Sequence, residues 1–113
     1  MQALYAEYFR TNQLDAMMFP TTIATAAPID TAAGSGKFRL NGAEVETFQT
    51  FIRNTDPGSN AGIPGLALPA GMTPGGLPVG LEIDGPLGTD RRLIAIGLAF
   101  EAVLGSVRPP SGI

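Results

Sequence analysis

Two hydrophobic periods divide this chain. Leu66 and Leu68 alternate with other residues, as do Val79, Leu81 and Ile83, whose alternate positions are Gly80, Glu82 and Asp84. That period of two predicts two strands, each presenting its side chains to opposite faces of a sheet. Met72-Thr73-Pro74-Gly75-Gly76-Leu77-Pro78 lies between them. Pro74 presets the second position of a type II turn and Gly75 provides positive φ at the third, so the strands are expected to form an antiparallel hairpin. From Leu93 to Leu104 the period disappears, because Glu101 is the only charged residue there. A helix starting at Thr89 as N-cap and stopping at Gly105 is predicted. A helix apolar nearly all round needs cover nearly all round. This one is shorter than the roughly 20 residues that span a bilayer. It therefore reads as the core helix of something larger than this chain.

Upstream, residues Gln2 to Gln13 carry apolar positions at helical spacing, and Asp15 to Phe19 reads as a short buried strand closed by Pro20. The segment from Thr21 to Gly36 has no usable period, and loops of that length are usually functional or disordered. Lys37 to Leu40, Asn41-Gly42 and Ala43 to Glu46 spell a two-residue type I′ hairpin. Its register sets Lys37 against Glu46 and Arg39 against Glu44, with Phe38–Val45 and Leu40–Ala43 on the other face. Thr47 to Asn54 is expected to be a short helix capped by Thr47, burying Phe48, Phe51 and Ile52 and ended by Asp56-Pro57-Gly58. Residues 1–113 read as one segment with a loosely held tail over 106–113, and there is no internal repeat.

Composition narrows the chemistry. The chain has 113 residues and a net charge of −3, without the clustered Lys and Arg of a nucleic-acid surface. MQALYAEYFR lacks the basic and apolar regions of a signal peptide, so a soluble, cytoplasmic product is expected, with no membrane partner. There is no His and no Cys, which removes Ser–His and Cys–His catalysis and His-based metal sites, and no cofactor is called for. Ser35 and Lys37, the only lysine, supply the ingredients of a Ser–Lys dyad. At a glycine-flanked hairpin edge, a solvated loop is the favoured reading, because a catalytic lysine must be tuned by burial. Glu82 and Asp84, about 7 Å apart on one strand face, could do acid–base work. A wet or salt-bridged face with Arg91 or Arg92 as partner is preferred. Gly34-Ser35-Gly36 lacks the third glycine and the helix of a dinucleotide fingerprint, and the glycines from Gly71 to Gly80 lack the Lys-Ser/Thr of a phosphate loop.

Asn60-Ala-Gly-Ile-Pro-Gly-Leu-Ala-Leu-Pro-Ala-Gly71, then Gly76-Leu-Pro-Val-Gly-Leu81, then the apolar helix, resemble the C-terminal part of the amidase signature family. Asp15-Ala-Met-Met-Phe-Pro-Thr-Thr22 resembles the strand that precedes them in that family. Leu40-Asn-Gly42 and Phe51 to Gly62 look closer to its mandelamide and indoleacetamide hydrolase branch. The resemblance implies an α/β fold, a fragment of an α/β/α mixed-sheet enzyme that hydrolyses small-molecule carboxamides through a Ser–cis-Ser–Lys triad. No triad residue matches in this chain, so the expected catalytic residues are none and the fragment is expected to be inactive alone. It also implies that Thr21, Thr22, Ile23, Asn54 and Thr55 lie near the acyl pocket and line the substrate. Strand-end capping and turn hydrogen bonding are the bland readings of the same residues. The expected partners are the missing N-terminal part of the same protein and, through exposed apolar surface, further copies in a homo-oligomer. The alternative is a stand-alone, non-catalytic module that self-associates or binds a protein partner.

Overall fold

The computed structural model describes residues 1–29, 31–32 and 34–105; the tail over 106–113 lies outside the described residues. Helix α1 (Gln2–Asn12) ends at Gln13, whose left-handed φ of 53° turns the chain into strand β1 (Met17–Pro20). Its inward stripe is Tyr5 and Phe9, four residues apart with rings 6.4 Å from centroid to centroid, whereas Leu4 and Tyr8 are exposed. Residues 21–36 contain no helix or strand among those described.

The hairpin of β2 (Lys37–Leu40) and β3 (Ala43–Glu46) has the register expected of its turn, Lys37 opposite Glu46 and Arg39 opposite Glu44. Asn41 and Gly42 both have positive φ, 51° and 84°, as a type I′ turn requires. The ion pairs differ from the straight-across pairs. Lys37 Nζ reaches diagonally to Glu44 at 3.1 Å and across to Glu46 at 3.5 Å. Arg39 Nη2 instead donates to the Gly42 carbonyl at 2.7 Å.

Helix α2 (Thr47–Ile52) corrects two expectations. Its N-cap is Glu46, not Thr47, and the Thr47 hydroxyl is buried without a hydrogen-bond partner. Phe48 is 70% exposed while Thr50 is buried, because the helix is rotated to stack Phe51 on Phe38, 5.4 Å between centroids. Asp56-Pro57-Gly58 does not end regular structure but starts α3 (Asp56–Ala61), with proline in the first turn where its missing N–H costs nothing.

The larger sheet has the order β1-β5-β4, with β4 (Gly65–Met72) and β5 (Pro78–Asp84) antiparallel and β1 antiparallel to β5. The hairpin exists as expected, but its turn is not type II at Gly75. Gly76 N–H donates to the Thr73 carbonyl at 2.9 Å, and the positive φ, 80°, falls on Gly76. A three-residue loop with a left-handed third residue follows the twist of the strands, and a bulge at Ala70 adjusts the register between Pro69 and Gly71.

Helix α4 (Asp90–Leu104) begins after Thr89 and ends at Gly105, as its end signals predict. The Thr89 hydroxyl does not cap the helix; it donates to the Pro86 carbonyl at 2.6 Å. The helix lies on the sheet face that carries Leu66 and Leu68, burying Leu93 and Gly97. Ile94, Leu98 and Val103 on its far side are exposed, Leu98 at 62%. On the opposite sheet face sits the small core of Phe9, Ala61 and Ile63, packed with Tyr5, Leu14 and Met17.

Gly97 is where α4 meets β4 most closely: a Cβ there would overlap Leu66 Cδ2. Gly97→Ala gains about 1 kcal/mol of helix propensity but forces Leu66 aside, and overpacking costs about 1–3 kcal/mol. A net loss near 1 kcal/mol in urea unfolding is expected in the wild-type background, and no loss from the same substitution in a Leu66→Ala background, where the overlap is gone.

Candidate functional site

Strand β1 ends at Pro20 because proline lacks the donor needed to continue the ladder. Thr21 N–H still pairs with the Gly80 carbonyl at 3.0 Å, and the chain then leaves the sheet. Asn54, just past α2, reaches across to donate Nδ2 to the Pro20 carbonyl at 2.7 Å. One hydrogen bond therefore ties the end of β1 to the end of α2, bringing Thr21–Ile23 and Asn54–Thr55 into one neighbourhood.

Within it the five residues differ. The Thr21 hydroxyl is buried without a partner and fills the space where a Cβ on Gly80 would stand, 2.8 Å from that point. Thr22 Oγ1 donates to the Ala24 carbonyl at 2.7 Å, a local turn bond. Thr55 Oγ1 donates to the Ile52 carbonyl at 3.3 Å, and its own carbonyl accepts from Ser59 N–H. Ile23 is the side chain that faces open space on two sides. It lines a cavity of about 490 Å³ with Leu40, Val45, Gln49, Thr50, Ile52, Arg53 and Asp56. It also borders a smaller one of about 130 Å³ with Thr22, Thr25, Val79 and Gly80.

The lining of the larger cavity combines apolar Ile23, Leu40, Val45 and Ile52 with polar Gln49, Thr50, Arg53 and Asp56. Such a lining suits an apolar ring with a polar group attached. Gln49, Arg53 and Asp56 were missed by sequence reasoning. Their signal was available: Gln49 and Arg53 stand four apart, and Asp56 follows three later, so all share one side of the chain as it winds out of α2.

Ser35 and Lys37 border a different depression, with Phe38 and Phe51. Lys37 is exposed, and the hydrogen bond and charge of Glu44, then Glu46, raise its pKa above the usual lysine value. A general base needs the opposite shift. No group of three or more potential metal ligands occurs among the described residues, and no helix there is long and apolar enough to cross a membrane.

On the Glu82–Asp84 face Asp84 is buried and Glu82 half-buried, and α4 does not bridge them. Arg92 pairs with Asp15 instead. Asp84 is 3% exposed, and burial raises its carboxyl above the usual range; Glu82 is raised by burial first and by the Asp84 charge second. Tyr5 on α1 feels the same charge after its own burial, while α3 and β4 turn glycines, Gly58 and Gly65, towards the Asp84 oxygens.

Residues 1–94 match the family model described as Amidase. The chain is 50% identical to an indoleacetamide hydrolase of Agrobacterium vitis over 92% of its own length and 22% of that protein. To a mandelamide hydrolase of Pseudomonas putida it is 44% identical, over 91% of this chain and 19% of that one. A solved amidase crystal structure superposes with a TM-score of 0.70 at 31% identity, covering 91% of this chain and 24% of the other. The chain thus spans about a fifth of the length of the curated relatives it matches.

The buried carboxyl has a consequence for stability. The folded chain holds the Asp84 proton to higher pH than the unfolded chain, so its stabilising effect is complete below the ordinary carboxylate range and is lost as pH rises through the raised value. Fully exposed Glu7, lowered by its bonds to Arg10 and Thr11, acts in the opposite sense and is common to both variants, so the comparison reports Asp84 together with the part of the Glu82 shift that the Asp84 charge causes. Asp84→Asn is expected to raise stability at neutral pH and, in thermal melts, to flatten the fall that sets in as pH rises above the ordinary carboxylate range.

Proposed function

The chain belongs to the amidase family, and from that membership we propose that it is the C-terminal part of an enzyme hydrolysing a carboxamide of the aryl-acetamide type. The observation that carries this reading is the 50% identity to an indoleacetamide hydrolase, sustained over 92% of the chain. The mandelamide hydrolase match points to the same class, an acetamide bearing an aromatic group. The cavity behind Ile23, lined by both apolar and polar side chains, is of a kind that accepts such an acyl group.

Bond cleavage belongs to the remainder of the enzyme in this proposal. The chain has no His or Cys, and its single lysine is ion-paired at a hairpin rim. As the family resemblance implies, a serine nucleophile, a bridging serine and a lysine base come from outside these residues, with backbone N–H groups stabilising the oxyanion. Thr21, Thr22 and Ile23 line the substrate side of the loop after β1. Asn54 and Thr55 hold that loop against α2, through the Asn54 bond to Pro20. Alone, the chain is inactive. A cytoplasmic setting and homo-oligomeric assembly belong to the same proposal.

A second reading, a stand-alone module that associates through apolar surface, draws support from the exposed Ile94, Leu98 and Val103 of α4. Complementation separates the two. Ammonia release from indoleacetamide is expected to be absent with this chain alone. It is expected to appear on mixing with the part of an indoleacetamide hydrolase outside the matched segment. A chain that forms stable homo-oligomers and never complements would overturn the first reading. Hydrolysis by the chain alone, lost in Lys37→Ala, would overturn both.

Within the complemented enzyme, Ile23→Ala should raise KM for the aryl amide by roughly ten-fold, the effect of about 1.5 kcal/mol of lost apolar contact. kcat should stay within about two-fold, because that contact is made equally in the ground and transition states.

A further inference from the structure

Strand alternation places Phe38, Leu40 and Val45 on one face of the β2–β3 hairpin. Phe38 stacks on Phe51 of α2, and that contact fixes how the helix is rotated over the hairpin. Leu40 and Val45 line the cavity of about 490 Å³ together with Ile52 and Ile23. Thr50, also in the lining, is turned inward and is only 7% exposed. The other polar residues of the lining, Gln49, Arg53 and Asp56, are exposed. Of these four, Thr50 alone is shielded from bulk water.

A threonine in a helix has a ready local partner, the carbonyl four residues back. Thr50 does not use it: among the described residues its hydroxyl makes no hydrogen bond. Nor is that hydroxyl sealed in, as those of Thr21 and Thr47 are; it is reached from the cavity that Thr50 lines. A buried hydroxyl left unpaired is unfavourable, and valine would fill the same volume without the polar atom. The hydroxyl gains a role when the cavity holds a molecule with a polar group of its own. A donor suits it best, because a hydroxyl that accepts from a ligand can send its own proton to the Glu46 carbonyl. A flat apolar ring bearing one N–H matches a lining of Leu40, Val45 and Ile52 with Thr50 among them.

We propose that Thr50 is a specificity-determining residue whose hydroxyl accepts a hydrogen bond from a ring N–H of the acyl group, so that the enzyme prefers indole-type arylacetamides to those whose ring carries no donor. This rests on the reading that the chain completes an arylacetamide hydrolase with the Ile23 cavity as its acyl pocket. An analogue without the N–H displaces water from the hydroxyl and leaves it unpaired, which is how such a site rejects it. The exposed Gln49, Arg53 and Asp56 discriminate less, since water satisfies them whatever the ligand. Thr50 meets the ring, remote from the scissile amide, and takes no part in bond cleavage.

The test compares hydrolysis of indoleacetamide with that of its benzothiophene analogue, in which sulfur replaces the ring N–H. This chain is mixed with the part of the indoleacetamide hydrolase outside the matched segment, as wild type, Thr50→Val and Thr50→Ser. Circular dichroism melts check that each variant is folded, and Thr50→Val is expected to melt no lower than wild type. Wild type is expected to favour indoleacetamide about ten-fold in kcat/KM. Thr50→Val should abolish that preference by raising KM for indoleacetamide about ten-fold, with the analogue changed by less than about two-fold. Thr50→Ser, which keeps the hydroxyl, should keep the preference. An absent wild-type preference, a preference that survives in folded Thr50→Val, or equal losses on both amides would overturn the proposal and leave the arylacetamide reading intact. No hydrolysis of either amide by the wild-type mixture would overturn that reading and the proposal with it.

Discussion

Among the described strands, β5 alone is paired along both edges, with β1 on one side and β4 on the other. The two faces of its sheet receive α4 on one side and the Phe9–Ile63 core on the other, while β2 and β3 form a separate two-stranded sheet. Ile83, at 1% exposure, is its deepest point. The face shared with Leu66 and Leu68 receives α4, whose Gly97 lets the helix settle on Leu66. The other face receives α1 and α3 through Phe9, Ala61, Ile63 and Met17, and it carries the carboxylates. A three-stranded sheet with one helix on one side and two on the other is a layered unit with a single core strand.

That unit is incompletely covered. The buried apolar set is small, Phe9, Ala61, Ile63, Ile83 and Leu93, while α1 leaves Leu4 and Tyr8 exposed and α4 leaves Ile94, Leu98 and Val103 exposed. The same incompleteness shows in the polar groups, where the hydroxyls of Thr21 and Thr47 are buried unpaired. The match spans about a fifth of the length of the relatives, and the proposal that the chain completes a larger amidase would account for both kinds of unfinished surface. Apolar faces and unsatisfied polar groups are what remain when part of a domain is viewed apart from the rest of it.

The neighbourhood around Ile23 shows how a site can be partly legible. Pro20 and the patternless stretch after it mark the point where β1 gives way to a loop, and that much follows from backbone chemistry. The Asn54 bond to Pro20 joins residues 34 apart in the chain. No local pattern announces such a bond, because it depends on where α2 ends in space. Gln49 and Arg53 were legible as neighbours on a helix, yet nothing in their spacing tells that Ile23 and Leu40 line the same cavity.

What the sequence determined by itself is the set of features decided within a few residues. The Asn41-Gly42 turn fixed the register of its hairpin because only a type I′ pair of residues matches the strand twist. Alternation at Leu66, Leu68, Leu81 and Ile83 placed the strands, and Thr89 and Gly105 bounded α4. The family motifs stood in the same local stretches. Tertiary structure decided whatever depends on an opposing surface. It turned Thr50 inward and Phe48 outward so that Phe51 could meet Phe38, and it moved the turn's positive φ from Gly75 to Gly76. It sent Arg92 to Asp15 and left Asp84 buried beside two glycines. Burial and charge pairing are properties of what comes to lie across a gap, and the chain settles that only when its faces are brought together.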